Sequence, residues 1–169
     1  MKNNFASRII SIMLLAVMLA GIFIPANFCI TAEAAANDTE SIIDGILKWK
    51  QNGSAQNLAD EISDSMGSSI SDWYAISLSR YKYNIDFSKC VNSLDKYTNS
   101  AENLRATDMQ RIAIAYTAMG SKSDYIKTAL NSSIGKLGIM SYAYGLIMLD
   151  CGAYYGNMTR DEIINKILS

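Results

Sequence analysis

Apolar residues recur along the chain in two different patterns. In one, they return every three or four positions and charged residues fill the opposite side, which is typical of a helix with one face in water. In the other, charges are nearly absent and both sides are apolar or small, so such a helix needs a neighbour on each side. The patterns predict eight helices, at residues 39–50, 54–66, 71–81, 86–98, 107–119, 123–131, 139–149 and from 159 onward.

The weakly charged helices are those at 71–81, 107–119 and 139–149. They return at intervals of about 30 to 40 residues, a period typical of stacked helical hairpins. Units of this kind cannot bury their apolar faces alone and depend on their neighbours. We therefore predict an all-α fold of stacked antiparallel hairpins, in which the weakly charged helices form a layer that is covered on both sides.

Three helix starts carry capping signals. Ser71 or Asp72 can accept a hydrogen bond from a free backbone N–H of the third helix. The sequences Thr-Asp-Met-Gln at 107–110 and Thr-Arg-Asp-Glu at 159–162 match the capping box, in which the first and fourth side chains each accept from the other residue's backbone N–H. A capping role alone would account for Asp72 and for Asp108. Arg111, on the otherwise uncharged helix at 107–119, can also pair with Asp108 at a spacing of three residues.

The N-terminus has the pattern of a secretory signal peptide. Lys2 and Arg8 precede an uncharged apolar run at 9–24, and small residues around Ala34 and Ala36 form cleavage sites. A retained membrane anchor is the alternative, but the run is shorter than the ~20 residues that span a bilayer. We expect a signal peptide at 1–34, a single domain at 35–169, and a secreted or cell-surface protein without membrane contact after cleavage.

The composition of residues 35–169 narrows the chemistry. These residues carry 13 basic and 15 acidic side chains with no basic stripe, which argues against a nucleic-acid partner. The chain has no histidine, so a zinc site with the usual histidine ligand is excluded. Cys90 and Cys151 fall in predicted helices, and we favour two free thiols over a disulfide.

Three segments resemble secreted bacterial prenyltransferase-like α/α-toroid domains, a superfamily that includes terpenoid cyclases and protein prenyltransferase β subunits. They are Ser-Asp-Trp-Tyr-Ala-Ile at 71–76, Thr-Asp-Met-Gln-Arg-Ile-Ala at 107–113 and Tyr-Ala-Tyr-Gly-Leu-Ile-Met-Leu-Asp at 142–150. The resemblance implies parallel inner helices around a central cavity. Relatives continue into a Gln…Gly-Gly-Trp repeat where this chain ends, so about eight helices would form an incomplete toroid.

An incomplete toroid would leave apolar side chains exposed along its open edges. Self-association through those edges is one expectation, and an inert fragment of a longer toroid protein is another.

Five aromatic residues on the weakly charged helices are candidates for an apolar cavity: Trp73, Tyr74, Tyr116, Tyr142 and Tyr144. The alternative interpretation is that they simply pack one helix against the next.

Three carboxylates complete the candidate ligand-binding set. Asp72 and Asp108 lie at helix starts, where the helix dipole favours a negative charge. Asp150 lies at a helix C-terminus, where a carboxylate is mildly unfavourable and needs another explanation, such as exposure in a loop.

The preferred function from sequence is an exported, non-catalytic helical binding module for a hydrophobic small molecule or a protein partner. No catalytic residue, metal ligand or cofactor is predicted. The alternative is an enzyme of the terpenoid cyclase or prenyltransferase type, with its acid supplied by Asp150 or by a partner chain.

Overall fold

The computed structural model describes residues 32–80 and 84–169, and for 32–40 only the backbone. Most of the predicted signal peptide therefore lies outside the described residues. The described part is all-helical, as predicted. Its eight helices are α1 (Ala32–Gln51), α2 (Ala55–Ser63), α3 (Ser69–Arg80), α4 (Ser88–Ser100), α5 (Ala106–Ala118), α6 (Tyr125–Ser132), α7 (Gly138–Gly152) and α8 (Arg160–Leu168).

Residues 44–169 form one compact unit, and the contacts below belong to it. The extended segment Lys136–Leu137 bridges only to the residues that follow it, so it starts no sheet within the described ranges. None of the described helices is both long enough and apolar enough to cross a membrane.

Helix α5 lies between α3 and α7. Near the starts of α5 and α7, the Gln110 amide donates to the backbone carbonyl of Ser141 at 2.7 Å. Near their ends, the hydroxyls of Thr117 and Tyr154 are 3.1 Å apart. Because start meets start and end meets end, α5 and α7 run in the same direction.

Helix α2 packs against both α3 and α4. The Gln56 side chain bonds the backbone of Asp86 where α2 and α4 begin, and the Cys90 thiol donates to the carbonyl of Ala59 one turn later. At the far end, Gly67 lies against the ring of Tyr97. These contacts show that α2 and α4 also run in parallel.

The prediction that three weakly charged helices are covered on both sides is correct for α5 only. Seven consecutive residues of α5, from 110 to 116, are buried. By contrast, Ile70 on α3 and Ile147 on α7 are exposed, and Ala143 and Leu146 are partly exposed. The reason is position: α5 has a neighbour on each side, whereas α3 and α7 each pack against α5 alone in this row.

Two of the three predicted caps are wrong. Helix α3 begins at Ser69, and the hydroxyl of Ser68 accepts from the Ser71 backbone, so neither Ser71 nor Asp72 is the cap. Helix α5 begins at Ala106 without a side-chain cap, because its cap position is Arg105, whose side chain has no acceptor; Gln110 bonds to α7 instead.

The capping box at the start of α8 is confirmed. The hydroxyl of Thr159 accepts from the Glu162 backbone N–H, and the Glu162 carboxylate accepts from the Thr159 N–H. The pKa of Glu162 is lowered by the hydrogen bonds that its carboxylate accepts from the backbone N–H and the hydroxyl of Thr159.

The turn between α2 and α3 depends on a glycine. Gly67 has φ +93°, a conformation that side chains other than glycine rarely adopt, and an added Cβ would overlap the ring of Tyr97. The Gly67 N–H donates to Asp72 at 2.9 Å, and its carbonyl accepts from Arg111 at 3.0 Å. This one residue therefore touches α3, α4 and α5.

We expect Gly67→Ala to lower the free energy of unfolding by about 3 kcal/mol, since backbone strain and a steric overlap act together. Gly53→Ala is the matched control. Gly53 has φ +84° but no atom near its would-be Cβ, so only the strain of about 1 kcal/mol applies. Urea unfolding of the two variants measures the difference, and equal losses would show that the contact with Tyr97 carries no weight.

Candidate functional site

Asp72, Asp108 and Arg111 form a charged cluster inside the helical unit. Asp72 is fully buried; its carboxylate accepts from the Arg111 Nε at 2.9 Å and from the Gly67 N–H at 2.9 Å. The Arg111 guanidinium also donates to Asp108 at 2.6 Å and to the carbonyl of Gly67. The expected pairing of Asp108 with Arg111 is confirmed, and the interpretation of Asp72 and Asp108 as caps alone is wrong.

Burial and pairing act against each other on the pKa values of this cluster. Burial raises the pKa of Asp72, and the hydrogen bonds from Arg111 and Gly67 oppose that rise. Burial alone would lower the pKa of Arg111, but its bonds to Asp72 and Asp108 raise it. Both Asp72 oxygens accept from N–H donors, an arrangement that suits the ionised carboxylate. The charged groups of the cluster therefore bond one another and the backbone of Gly67, and they join α3 to α5.

Tyr116 is a packing residue. It is fully buried, its hydroxyl donates to Asp95 at 2.7 Å, and its ring centroid lies 6.1 Å from that of Tyr125. Burial raises the pKa of Tyr125 to about 12. Tyr116 is thus not available to a ligand in this structure, and the alternative interpretation of helix-to-helix packing holds for it.

Tyr142 is half-buried and covers the turn before α7. A Cβ added to Gly135, which has φ +76°, would overlap its ring. The close contact with the turn explains why position 135 is glycine, and it leaves Tyr142 on the side of α7 that faces that turn.

The remaining aromatic candidates come together at a surface. The rings of Trp73 on α3 and Tyr144 on α7 have centroids 6.4 Å apart, and Trp73 is 40% exposed. Ile70 lies one turn before Trp73, and Met140 and Ile147 lie one turn to each side of Tyr144. We call these residues the apolar seam: Ile70, Trp73, Met140, Tyr144 and Ile147.

Tyr74 lies at the margin of the apolar seam. A shallow cavity of about 310 Å³ is lined by Ser69, Ile70, Trp73, Tyr74 and Ser77. The ammonium of Lys50 lies 5.6 Å from the centre of the Tyr74 ring, a cation–π geometry, and 4.0 Å from Glu61. Of the eight candidate residues, the structure therefore brings Trp73, Tyr74 and Tyr144 together on one accessible face.

Asp150 lies within α7, near its C-terminal end, rather than in a loop. Its carboxylate accepts from Arg160 at the start of α8 at 3.1 and 3.3 Å. A cavity of about 350 Å³ lies beside this pair and is lined by residues 149–150, 153–156 and 158–161. The ion pair to Arg160 explains how a carboxylate is tolerated at a helix C-terminus.

Cys90 and Cys151 are free thiols in the structure. Burial raises the pKa of Cys90 to about 11, so its thiol is protonated near neutral pH. Within the described residues, no three His, Cys, Asp or Glu side chains lie close enough together to hold a metal ion.

Sequence reasoning missed two features of the structure, one at the surface and one in the interior. It did not anticipate that Ile70, Met140 and Ile147 are exposed, since it placed their helices in a covered layer. It also treated Arg111 as a local partner of Asp108 and missed its bond to Asp72, 39 residues away. The available signal was a charged residue on an otherwise uncharged helix, which must find a partner if the helix is buried.

Comparison with protein-family models, with curated proteins and with solved structures finds no match to this chain. The resemblance to prenyltransferase-like toroids therefore stays a prediction. The all-helical class rests on the structure itself.

We expect Asp72→Asn to lower the free energy of unfolding by about 3 kcal/mol, because Arg111 would remain buried with one charged partner fewer. Asp108→Asn removes a carboxylate that is partly exposed and contacts the same guanidinium, so we expect a loss of about 1 kcal/mol. Chemical denaturation of both variants checks the order. A smaller loss for Asp72→Asn than for Asp108→Asn would contradict the central role of the buried pair.

Proposed function

We propose that the chain is a non-catalytic helical binding module and that the apolar seam is its binding face. One observation carries the proposal: two helices of a single row turn large apolar side chains to solvent, and these meet at the Trp73–Tyr144 contact. A contiguous patch of exposed apolar side chains marks an interaction or ligand-binding site, whereas apolar residues that are exposed singly are ordinary. A hydrophobic small molecule or a protein partner would cover it.

The three candidate carboxylates are already paired with arginine side chains, and this favours a binding role over a catalytic one. Asp72 and Asp108 are bonded to Arg111, and Asp150 is bonded to Arg160. None of the three lies in the apolar seam, so an apolar molecule on this surface would meet aromatic rings and aliphatic side chains. This is the composition of a recognition surface for apolar ligands.

A toroid-like arrangement is part of the same proposal. The parallel direction of α5 and α7 agrees with the parallel inner helices that the resemblance implies. In such an arrangement the apolar seam would lie on the inner side of the row. Export is also proposed, on the evidence of the N-terminal sequence pattern alone.

We expect the seam to bind the neutral fluorescent probe N-phenyl-1-naphthylamine, and Trp73→Ser to weaken that binding about tenfold, since it removes the largest ring of the seam. Leu168→Ser is the matched control, because Leu168 is an exposed apolar residue on α8, outside the seam. Probe emission during titration gives the affinities, and circular dichroism verifies that both variants remain helical. Equal affinities for the two variants would refute the seam as the binding face.

We also expect export with cleavage near Ala34 or Ala36 when the full chain is expressed in a secreting bacterium. Mass spectrometry of the secreted protein identifies its first residue. Leu15→Arg, which places a charge within the apolar run, should keep the protein in the cells with residues 1–34 attached. A secreted Leu15→Arg variant, or an uncleaved native chain, would contradict the proposed leader.

A further inference from the structure

The face of α3 that carries the apolar seam ends in a cation. Ile70, Trp73, Ser77 and Arg80 follow one another at helical spacing, so the cation lies about 15 Å along the helix from Ile70. Arg80 is exposed, and it makes no ion pair with any residue of 32–80 or 84–169.

Arg80 also lies close to α7. Burial raises the pKa of the Cys151 thiol, and the positive charge of Arg80 acts on that thiol in the opposite direction. Cys151 follows Tyr144 by seven residues, as Arg80 follows Trp73 by seven. Trp73 meets Tyr144 in the seam, and Arg80 follows Trp73 by two turns on the same side of α3, so Arg80 lies at the C-terminal end of the seam on that helix.

The surface is therefore apolar along its length and positive at one end. Among the described residues, Lys50 also places a cation near the seam, but it is shared between the ring of Tyr74 and the carboxylate of Glu61. The surface thus offers one unpaired guanidinium, whose planar fork matches a carboxylate.

We propose that the apolar seam binds a single-chain amphiphile with one negative head group, the chain along Trp73, Tyr144 and Ile147 and the head group at Arg80. The inference rests on the proposed function and names the ligand class for that site. The chain of the amphiphile would cover the exposed apolar side chains, and its head group would supply the missing partner of Arg80.

Competition between two amphiphiles with tails of nearly equal length and opposite charge tests the head group. Laurate and dodecyltrimethylammonium, each below its critical micelle concentration, are titrated into the native protein in the presence of N-phenyl-1-naphthylamine. We expect laurate to displace the probe at about tenfold lower concentration, since one charge-assisted contact distinguishes the two. The net negative charge of the protein favours the cationic amphiphile, so a preference for laurate cannot come from long-range attraction.

Arg80→Gln should abolish the preference for laurate and leave binding of the neutral probe unchanged. Lys166→Gln, which removes the same charge from the exposed face of α8, is the matched control and should retain the preference. The inference is overturned if the native protein shows no preference, or if Arg80→Gln retains it. Loss of neutral-probe binding only in Trp73→Ser, without any preference for laurate, would support the proposed function and refute the head-group assignment.

Sedimentation of the native protein tests whether a second copy of the chain covers the seam instead of an amphiphile. A dimer that dissociates in Trp73→Ser and is unaffected by laurate would show that a second copy of the chain covers the seam, and this would overturn the amphiphile. A monomer that binds laurate with the expected dependence on Arg80 would support it.

Discussion

The carboxylate of Asp72 and the guanidinium of Arg111 meet in the interior of the helical unit, and much of the structure is arranged around this contact. The two residues lie 39 positions apart on neighbouring helices. Burying a charge without a partner would cost several kcal/mol, so α3 and α5 must keep a fixed register. Gly67 adds its backbone N–H to Asp72 and its carbonyl to Arg111, and thereby ties the end of α2 to the same point.

This register has consequences for the rest of the row. Because α5 is held against α3 by the ion pair and against α7 by the Gln110 amide, it becomes the buried centre of the unit. Helices α3 and α7 then flank α5 closely enough for Trp73 and Tyr144 to reach each other. The apolar seam forms where these two flanking helices approach each other, and most of its side chains are exposed there.

The side chains of the apolar seam carry no charge. Asp72 and Asp108 are bonded to Arg111, Asp150 to Arg160 and Glu61 to Lys50. Arg80 differs, because it lies at the end of the seam without an ion pair in the described ranges. A surface that is apolar in the middle and positive at one end is chemically suited to an amphiphile rather than to a purely apolar molecule.

Within the described residues, the sequence by itself determined the helical class, the number of helices and the approximate bounds of all but the first, which begins at 32 and not at 39, because the spacing of apolar residues reflects the periodicity of the helix directly. It also identified the capping box at Thr159, a signal that lies within four residues. The tertiary structure alone decided that Asp72 binds Arg111, that α5 is covered on both sides while α3 and α7 are not, and that Trp73 meets Tyr144. The physical reason is range: capping and amphipathicity depend on neighbours along the chain, whereas burial and ion pairing depend on which helices pack side by side.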